Sequence, residues 1–336
     1  MERDYQTHPL KKSREQVSGD VVAGTLKTTA VVIEQPGDMQ FREVSLTGPK
    51  TGDCIVDIDW SGISTGTERL LWQGRMPPFP GLSYPLVPGY ESVGRIVDAP
   101  AETGLKTGQP VFIPGSRCFE DVSGLFGGAC ARLVADSQRV VPVPADLGED
   151  ATLLALSATA LHAVRRTAEP PQLVVGHGVL GRLIARLAVA QGNSDLVVWE
   201  TNPARREGAV GYQVLDPADD ERRDYNRICD VSGDAGLLDT LIGRLAPGGG
   251  LTLAGFYDSD ISFNFPQAFM REIELQIAAE WQAADLDDVL EIIARGELSL
   301  QGLVTHRAAP ASAAAAYTTA FEDPHCLKMI LDWRKH

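Results

Sequence analysis

Two patterns of apolar and polar positions divide the chain. From Thr28 to Pro144 the apolar residues come in short runs among glycines and prolines. Thr28 to Ile33 predicts a first strand, Cys54 to Trp60 alternates like another, and Arg95-Ile96-Val97 and Gln109-Pro110-Val111-Phe112 are further β-like pieces. Short strands so spaced predict an irregular, barrel-like β domain. At Asp150 the pattern changes to apolar strands separated by helical periodicity, with strands expected at Leu173, Leu196, Val214, Ile228, Leu251 and Leu275. After Gly302 a strand-like Leu303-Val304-Thr305-His306 and an alanine-rich helix complete the chain, and this tail is expected to return to the first domain. The predicted organisation is a flexible polar leader at 1–27, a β domain over 28–149 and 300–336, and an α/β domain over 150–299.

The turn after the first α/β strand carries the clearest chemistry. Gln172-Leu173-Val174-Val175 feeds Gly176-His177-Gly178-Val179-Leu180-Gly181, and Leu180, Leu183, Ile184 and Leu187 then recur on one helical face. A second apolar strand, Leu196-Val197-Val198-Trp199, ends at Glu200, nineteen positions after Gly181. Strand, G-x-G-x-x-G turn, helix, strand and acid in this order predict a dinucleotide-binding βαβ unit, and six strands match a full dinucleotide domain. Gly176 lets the chain turn off the strand, Gly178 lets backbone approach a pyrophosphate, and Gly181 lets the helix pack on the sheet. The helix N-terminus offers free N–H groups to the anion. Val179, Leu180 and His177 join the cofactor set as members of the turn, with the His177 ring covering the pyrophosphate. Ser232 and Gly255 join it from beyond the strands at Ile228 and Leu251. A carboxylate at Glu200 accepts hydrogen bonds from both ribose hydroxyls and repels a 2′-phosphate, so NAD is expected over NADP. Nearby arginines can hold such a phosphate, yet Arg205 and Arg206 read as surface charges on the next helix, with Arg205 counted as a cofactor contact at the adenine face.

Composition removes several other classes. With 336 residues the chain is long enough for two domains, each with its own core. A net charge of −15 disfavours nonspecific binding to nucleic acid or an anionic bilayer. No apolar run has the length of a transmembrane segment, and no signal-peptide pattern follows Lys11 and Lys12. Five scattered cysteines, without a C-x-x-C pair, read as reduced thiols of a cytoplasmic protein.

A β domain, a nucleotide domain and a returning tail resemble the medium-chain dehydrogenase/reductase superfamily, over nearly all of the chain after the leader. Val87-Pro88-Gly89-Tyr90-Glu91 resembles its P-G-H-E segment, Gly127-Gly128-Ala129-Cys130-Ala131 its G-G-x-A-E stretch, and Leu156 to Val164 its T-A-x-x-A helix. The resemblance implies a GroES-like irregular β-barrel beside a six-stranded Rossmann domain, and a homodimer as the superfamily's common habit. The zinc ligands of the better-known members are not matched. Thr65 stands where the G-x-C-G-T-D cysteine belongs, Tyr90 replaces the histidine, Ala155 or a neighbour replaces the third ligand, and the four-cysteine lobe is absent. Neutral hydroxyls are poor zinc ligands, so no metal is expected. Three longer strings, Trp60 to Trp72, Tyr84 to Gly94 and Gly124 to Ala129, are similar to the 3-hydroxyethyl bacteriochlorophyllide a dehydrogenase family of bacteriochlorophyll synthesis. That resemblance implies NAD-linked oxidation of a 1-hydroxyethyl side chain to acetyl on a chlorin-type macrocycle.

Such a reaction needs a hydride acceptor and a route for the hydroxyl proton. Without zinc, hydrogen bonds must stabilise charge on oxygen. Thr67 matches the family hydroxyl that passes protons from substrate. Tyr90 is a candidate acid or base if its phenol is perturbed from a pKa of about 10; the competing reading is a core tyrosine filling the vacated metal space. Glu68 is expected to orient either hydroxyl, and Thr65 lies in the same loop. Glu91 reads as a structural carboxylate and His162 as a packing residue. Trp60, Trp72, Phe79, Tyr84, Phe119 and Phe126 are aromatic positions of the first domain; Trp72, Phe79, Tyr84 and Phe126 are the candidates for stacking on a planar substrate, and the competing reading puts most of the six in the core with two or three facing substrate. Arg69 and Arg75 are candidate partners for a pigment propionate. Two alternatives stay open: a zinc-free quinone or enone reductase, against which Glu200 counts because such enzymes favour NADPH, and a non-catalytic nucleotide-binding module, against which Thr67 and its neighbouring acid count.

Overall fold

A computed structural model describes residues 26–78, 80–167 and 169–335. Most of the predicted leader, residues 1–25, lies outside the described residues. The first strand begins before the leader's expected end: Leu26 and Lys27 already pair with Leu46 and Ser45, and the Lys27 ammonium lies 2.6 Å from Glu43.

The first part of the chain forms β1 (Leu26–Gln35), β2 (Asp38–Leu46), β3 (Asp53–Gly62), α1 (Thr67–Gln73), β4 (Leu86–Val87), β5 (Ser92–Asp98), β6 (Pro110–Ile113), β7 (Ser123–Gly124), β8 (Arg132–Asp136) and β9 (Val141–Pro142). Helix α2 (Leu154–Arg165) leads into β10 (Leu173–Val175), α3 (Val179–Ala190), β11 (Val197–Trp199), β12 (Gln213–Leu215), β13 (Tyr225–Asp230), α4 (Leu238–Arg244), β14 (Leu245–Leu253), α5 (Phe265–Arg271), β15 (Glu274–Ile277) and α6 (Ala283–Ala294). The tail adds β16 (Val304–Ala308), α7 (Ala313–Glu322) and β17 (Lys328–Asp332).

All six strands expected after Asp150 are present and form one parallel sheet in the order β12-β11-β10-β13-β14-β15. The chain reverses direction across the sheet beside β10, and the crevice at the carboxyl ends of the strands there is where this topology receives ligands. β10 is buried throughout because helices cover both faces, which is why its sequence is a continuous apolar run. On α3, Leu183, Ile184 and Leu187 are at most 1 % exposed and pack with α2 and α6, while α4 and α5 cover the other face. Each such side chain stabilises the fold by roughly 1.5–3 kcal/mol. Helices were expected between all these strands, and the connections around β12 differ. β11 is followed by a single short turn, Pro203–Arg205, and no helix lies between β12 and β13 among the described residues. Residues 216–224 are mostly charged, so they have no apolar stripe with which a helix could dock.

The sequence pattern did not predict β17, whose apolar run, Met329-Ile330-Leu331, is short and flanked by Lys328 and Asp332. The strand runs antiparallel to β3, Ile330 opposite Gly62, and so brings the end of the chain into the first domain's sheet, β16-β17-β3-β5-β6-β9 with β8 on β3. A second sheet, β2-β1-β4-β7, closes the other side. Trp60, Phe112 and Ile330 of the β domain share one buried cluster with α2 and α3, so the two halves are joined by core. No helix among the described residues is long and apolar enough to cross a membrane.

Candidate active site

The glycine turn has the features a dinucleotide needs. Gly176 takes φ +105°, a left-handed conformation that side chains disfavour. A Cβ on Gly181 would collide with the Gly176 carbonyl oxygen, so that glycine is required by helix packing. A Cβ on Gly178 would meet nothing within 4 Å, so packing inside the protein does not explain it; the open space lies at the N-cap of α3, where no side chain caps the helix. Open backbone at an uncapped twelve-residue helix fits a pyrophosphate. Val179 opens the helix and Leu180 packs against the core, so their contribution to a ligand is backbone. Glu200 ends β11 and accepts the His177 N–H at 3.2 Å and the Asn202 N–H at 2.8 Å. Ser232 and Gly255 flank the turn: the Ser232 nitrogen stands 3.7 Å from the Gly176 Cβ position, and Gly255 lies against Gly233.

The His177 ring does not lie over the turn as expected. It is fully buried beneath the following loop, with Nδ1 bonded to the Arg205 carbonyl at 2.6 Å and Nε2 to the Tyr212 hydroxyl at 2.8 Å. Burial lowers its pKa to about 4, so the ring is neutral and holds structure. Arg182, unmarked by the sequence reading, joins it by donating to the carbonyls of His177, Arg205 and Glu207. The arginines sit on the short turn rather than a helix. Arg205 Nε donates to the Pro324 carbonyl of the tail at 2.9 Å, and Arg206 donates to the carbonyls of Glu200 and Thr201 and pairs with Asp216.

The second group of residues lies on the loop between β3 and α1 and on the strand connection at Tyr90. Ser64 Oγ and Tyr90 Oη are 2.6 Å apart, and the Thr67 hydroxyl also bonds the Tyr90 phenol. Thr65 is exposed, outside this hydroxyl group. Burial, reinforced by the Glu91 charge, pushes the Tyr90 pKa well up, which is the wrong direction for a phenolate base; Tyr90 is a proton donor at neutral pH. Glu68 does not touch Thr67 or Tyr90 as expected. Its fully buried carboxyl accepts the Ser64 N–H at 3.1 Å and the Tyr317 hydroxyl, so it orients the loop. Burial raises its pKa to about 7. Glu91 forms a buried 2.6 Å ion pair with Lys328, which also donates to the Ile63 carbonyl, while Glu91 Oε1 has no partner. His162 is bonded to Asp285 at 2.9 Å and ties α2 to α6. Among the described residues no group of three or more His, Cys, Asp or Glu is placed to hold a metal ion. Thr65, Tyr90 and Ala155 are not a zinc donor set, and no step is assigned to a metal.

Trp72, Tyr84 and Phe126 join one cluster around Ile33, Leu71, Leu86 and Leu125. Phe126 meets Tyr90 edge to face at 5.2 Å, and the Tyr84 hydroxyl donates to the Leu71 carbonyl at 2.6 Å. Phe79 lies outside the described residues. Trp60 and Phe119 belong to other parts of the core. Arg69 is engaged with the Phe321 carbonyl and ring. Arg75, just past α1, pairs with Asp258, past β14, so the end of α1 is in contact with the chain that leaves the carboxyl end of β14. Ser64, Tyr317, Lys328, Arg182 and Tyr212 were not singled out from sequence. The one available signal was a lysine beside an apolar run, at Lys328.

Residues 50–145 match the alcohol dehydrogenase GroES-like domain. The chain is 56% identical over 311 residues to 2-desacetyl-2-hydroxyethyl bacteriochlorophyllide A dehydrogenase of Rhodobacter capsulatus, spanning 92% of this chain and 99% of the relative. It is 51% identical to the enzyme of the same name from Cereibacter sphaeroides, over 92% and 99% of the two chains. L-Idonate 5-dehydrogenase from Escherichia coli shares the fold, with a TM-score of 0.80 at 19% identity over 92% of this chain and 99% of that one.

Proposed function

We infer the function from one premise: this chain belongs to the 2-desacetyl-2-hydroxyethyl bacteriochlorophyllide A dehydrogenase family. It is an alcohol dehydrogenase that uses a nicotinamide dinucleotide to oxidise the hydroxyethyl side chain of a bacteriochlorophyllide-type pigment to acetyl, in bacteriochlorophyll synthesis. The observation that carries this reading is the identity of 56% across nearly the whole of both chains. A bound nicotinamide supplies the hydride acceptor. The protein holds the substrate oxygen beside Thr67 and Tyr90. Thr67 Oγ1 takes the hydroxyl proton as it passes its own to the bonded hydroxyls of Tyr90 and Ser64, and from them to water. Tyr90 takes up one proton as it releases one along this relay, so it stays the neutral phenol that burial favours. Glu68 holds the Ser64 end of this loop through its backbone N–H. Trp72, Tyr84 and Phe126 line the apolar side on which the macrocycle rests.

Glu200 supports NAD over NADP, since a carboxylate there repels a 2′-phosphate. Five buried free thiols support a cytoplasmic location. A homodimer is supported by β15, the outer strand of its sheet, which exposes Leu275 and Ile277 beside Phe265, Phe269 and Met270 of α5. An open apolar edge of this kind fits a second copy pairing strand to strand. Sedimentation should give a dimer that Ile277→Lys converts to monomer; a monomeric wild type refutes it.

The activity test mixes protein, NAD and a hydroxyethyl chlorin. Reduced nicotinamide should appear together with a shifted pigment spectrum. If no hydroxyethyl chlorin is oxidised while small enones are reduced readily, the reductase alternative replaces this reading.

A further inference from the structure

We propose that Asp216 is a cofactor-specificity residue: by engaging the Arg206 guanidinium it withholds that cation from the 2′ position of a bound adenosine. The inference rests on the reading of this protein as an NAD-preferring dehydrogenase and names what enforces the preference besides Glu200.

Dinucleotide domains that accept a 2′-phosphate do so with an arginine near the end of the second strand, because the guanidinium fork matches phosphate oxygens. This chain carries such an arginine. Arg206 lies six positions beyond Glu200, and its Nε donates to the Glu200 carbonyl at 2.8 Å, so the cation already stands at the end of β11. Its Nη2 donates to the Thr201 carbonyl at 2.9 Å and to Asp216.

Strand register explains why Asp216 is there. Leu215 is paired with Trp199, and the Glu200 N–H donates to the Leu215 carbonyl at 3.0 Å. Asp216, the next residue after Leu215, therefore comes level with Glu200. Its other oxygen accepts the Ala218 N–H at 3.0 Å, which fixes the carboxylate. The backbone around Arg206 is clamped from the opposite side. His177 holds the Arg205 carbonyl at 2.6 Å, and Arg182 holds the carbonyls of Arg205 and Glu207 at 2.9 and 2.7 Å. With the backbone on both sides of Arg206 pinned, and its guanidinium also donating to the Glu200 and Thr201 carbonyls, Asp216 is the anion that compensates its charge. Two carboxylates, Glu200 and Asp216, against one guanidinium leave this edge negative, which a 2′-phosphate meets as repulsion.

Calorimetric titration of the full chain with AMP and with adenosine 2′,5′-bisphosphate reads this edge without any turnover. Wild type should bind AMP more tightly. Asp216→Asn, which keeps side-chain size and an acceptor for Ala218, should strengthen bisphosphate binding relative to AMP by about tenfold or more, the usual scale of a charge-assisted hydrogen bond. Arg206→Gln added to Asp216→Asn should abolish that gain, and Arg206→Gln alone should weaken bisphosphate binding below wild type, because Glu200 and Asp216 then face the phosphate with no cation between them. If wild type binds the two probes equally, the NAD preference itself fails. If wild type prefers AMP and Asp216→Asn changes nothing, only the role of Asp216 fails. A gain that persists without Arg206 overturns the release of the guanidinium, because charge removal alone then accounts for it.

Discussion

Ser64, Thr67 and Tyr90 form a bonded set of hydroxyls, with Tyr90 held in its neutral form by burial. Positioned proton transfer contributes about 10²–10⁴-fold, so Thr67→Val should lower kcat by that order while dinucleotide affinity, set at the distant glycine turn, is kept. Tyr90→Phe removes one oxygen and keeps the ring contact with Phe126; it should also lower kcat. Steady-state rates with parallel cofactor titrations check both, and two fully active variants would place the proton route elsewhere. Glu68 makes a separate prediction. Its pKa rises from 4.5 to about 7 on folding, so the folded state keeps a proton that the unfolded chain has released. The resulting stabilisation is complete below the unfolded value and is lost as pH rises through the folded one. Glu68→Gln, always neutral, should melt like wild type at pH near 4.5, and the variant's advantage should open up to pH of about 7 and then stay constant. A gap that does not widen with pH would remove the buried neutral carboxyl. Thr67 and Tyr90 were legible in the sequence because they occupy motif positions. The partner that holds Glu68, Tyr317, lies 249 positions away, and no local pattern joins the two.

At the scale of elements, β10, α3 and β11 were readable because each is specified locally: a buried apolar run, a 3.6-residue stripe and glycines at the turn. The glycines divide into two kinds that sequence treats alike. Gly181→Ala drives a Cβ into the Gly176 carbonyl oxygen and should destabilise the fold, whereas Gly178→Ala meets empty space and should leave it intact. The expected outcome is a lowered melting temperature for Gly181→Ala, and for Gly178→Ala a wild-type melting temperature with weakened dinucleotide binding. If Gly178→Ala binds NAD as wild type does, the pyrophosphate does not approach there. Around β12 the sequence reading failed because it extended the helical alternation into a segment with no apolar face. Arg205 and Arg206 thus sit on a clamped turn, which gives them different neighbours from those of surface helix residues.

At the scale of the molecule, the returning tail completes the site. β17 carries Lys328 to Glu91, and α7 carries Tyr317 to Glu68. A buried ion pair is costly to break from one side, because the remaining charge has no partner. Lys328→Met should therefore destabilise the fold by about 3–5 kcal/mol, and Glu91→Gln combined with it should recover most of the loss. Urea unfolding of the single and double variants measures this; equal stabilities would mean that the pair is not charged and buried together.

The sequence alone determined the two-part architecture, the six-stranded sheet, the glycine turn with its acid, and the positions of Thr67 and Tyr90. The sheet and the glycine turn follow from periodicity or from spacing within a few tens of residues, where the chain's own geometry makes neighbours; Thr67 and Tyr90 were marked as candidates by resemblance to family motifs. Only the tertiary structure decided which way His177 points, which anion holds Arg206, that burial drives the Tyr90 phenol away from a base, and that the last strand lies against β3. Those outcomes depend on desolvation and on contacts between segments far apart in the chain, which residue order does not encode locally.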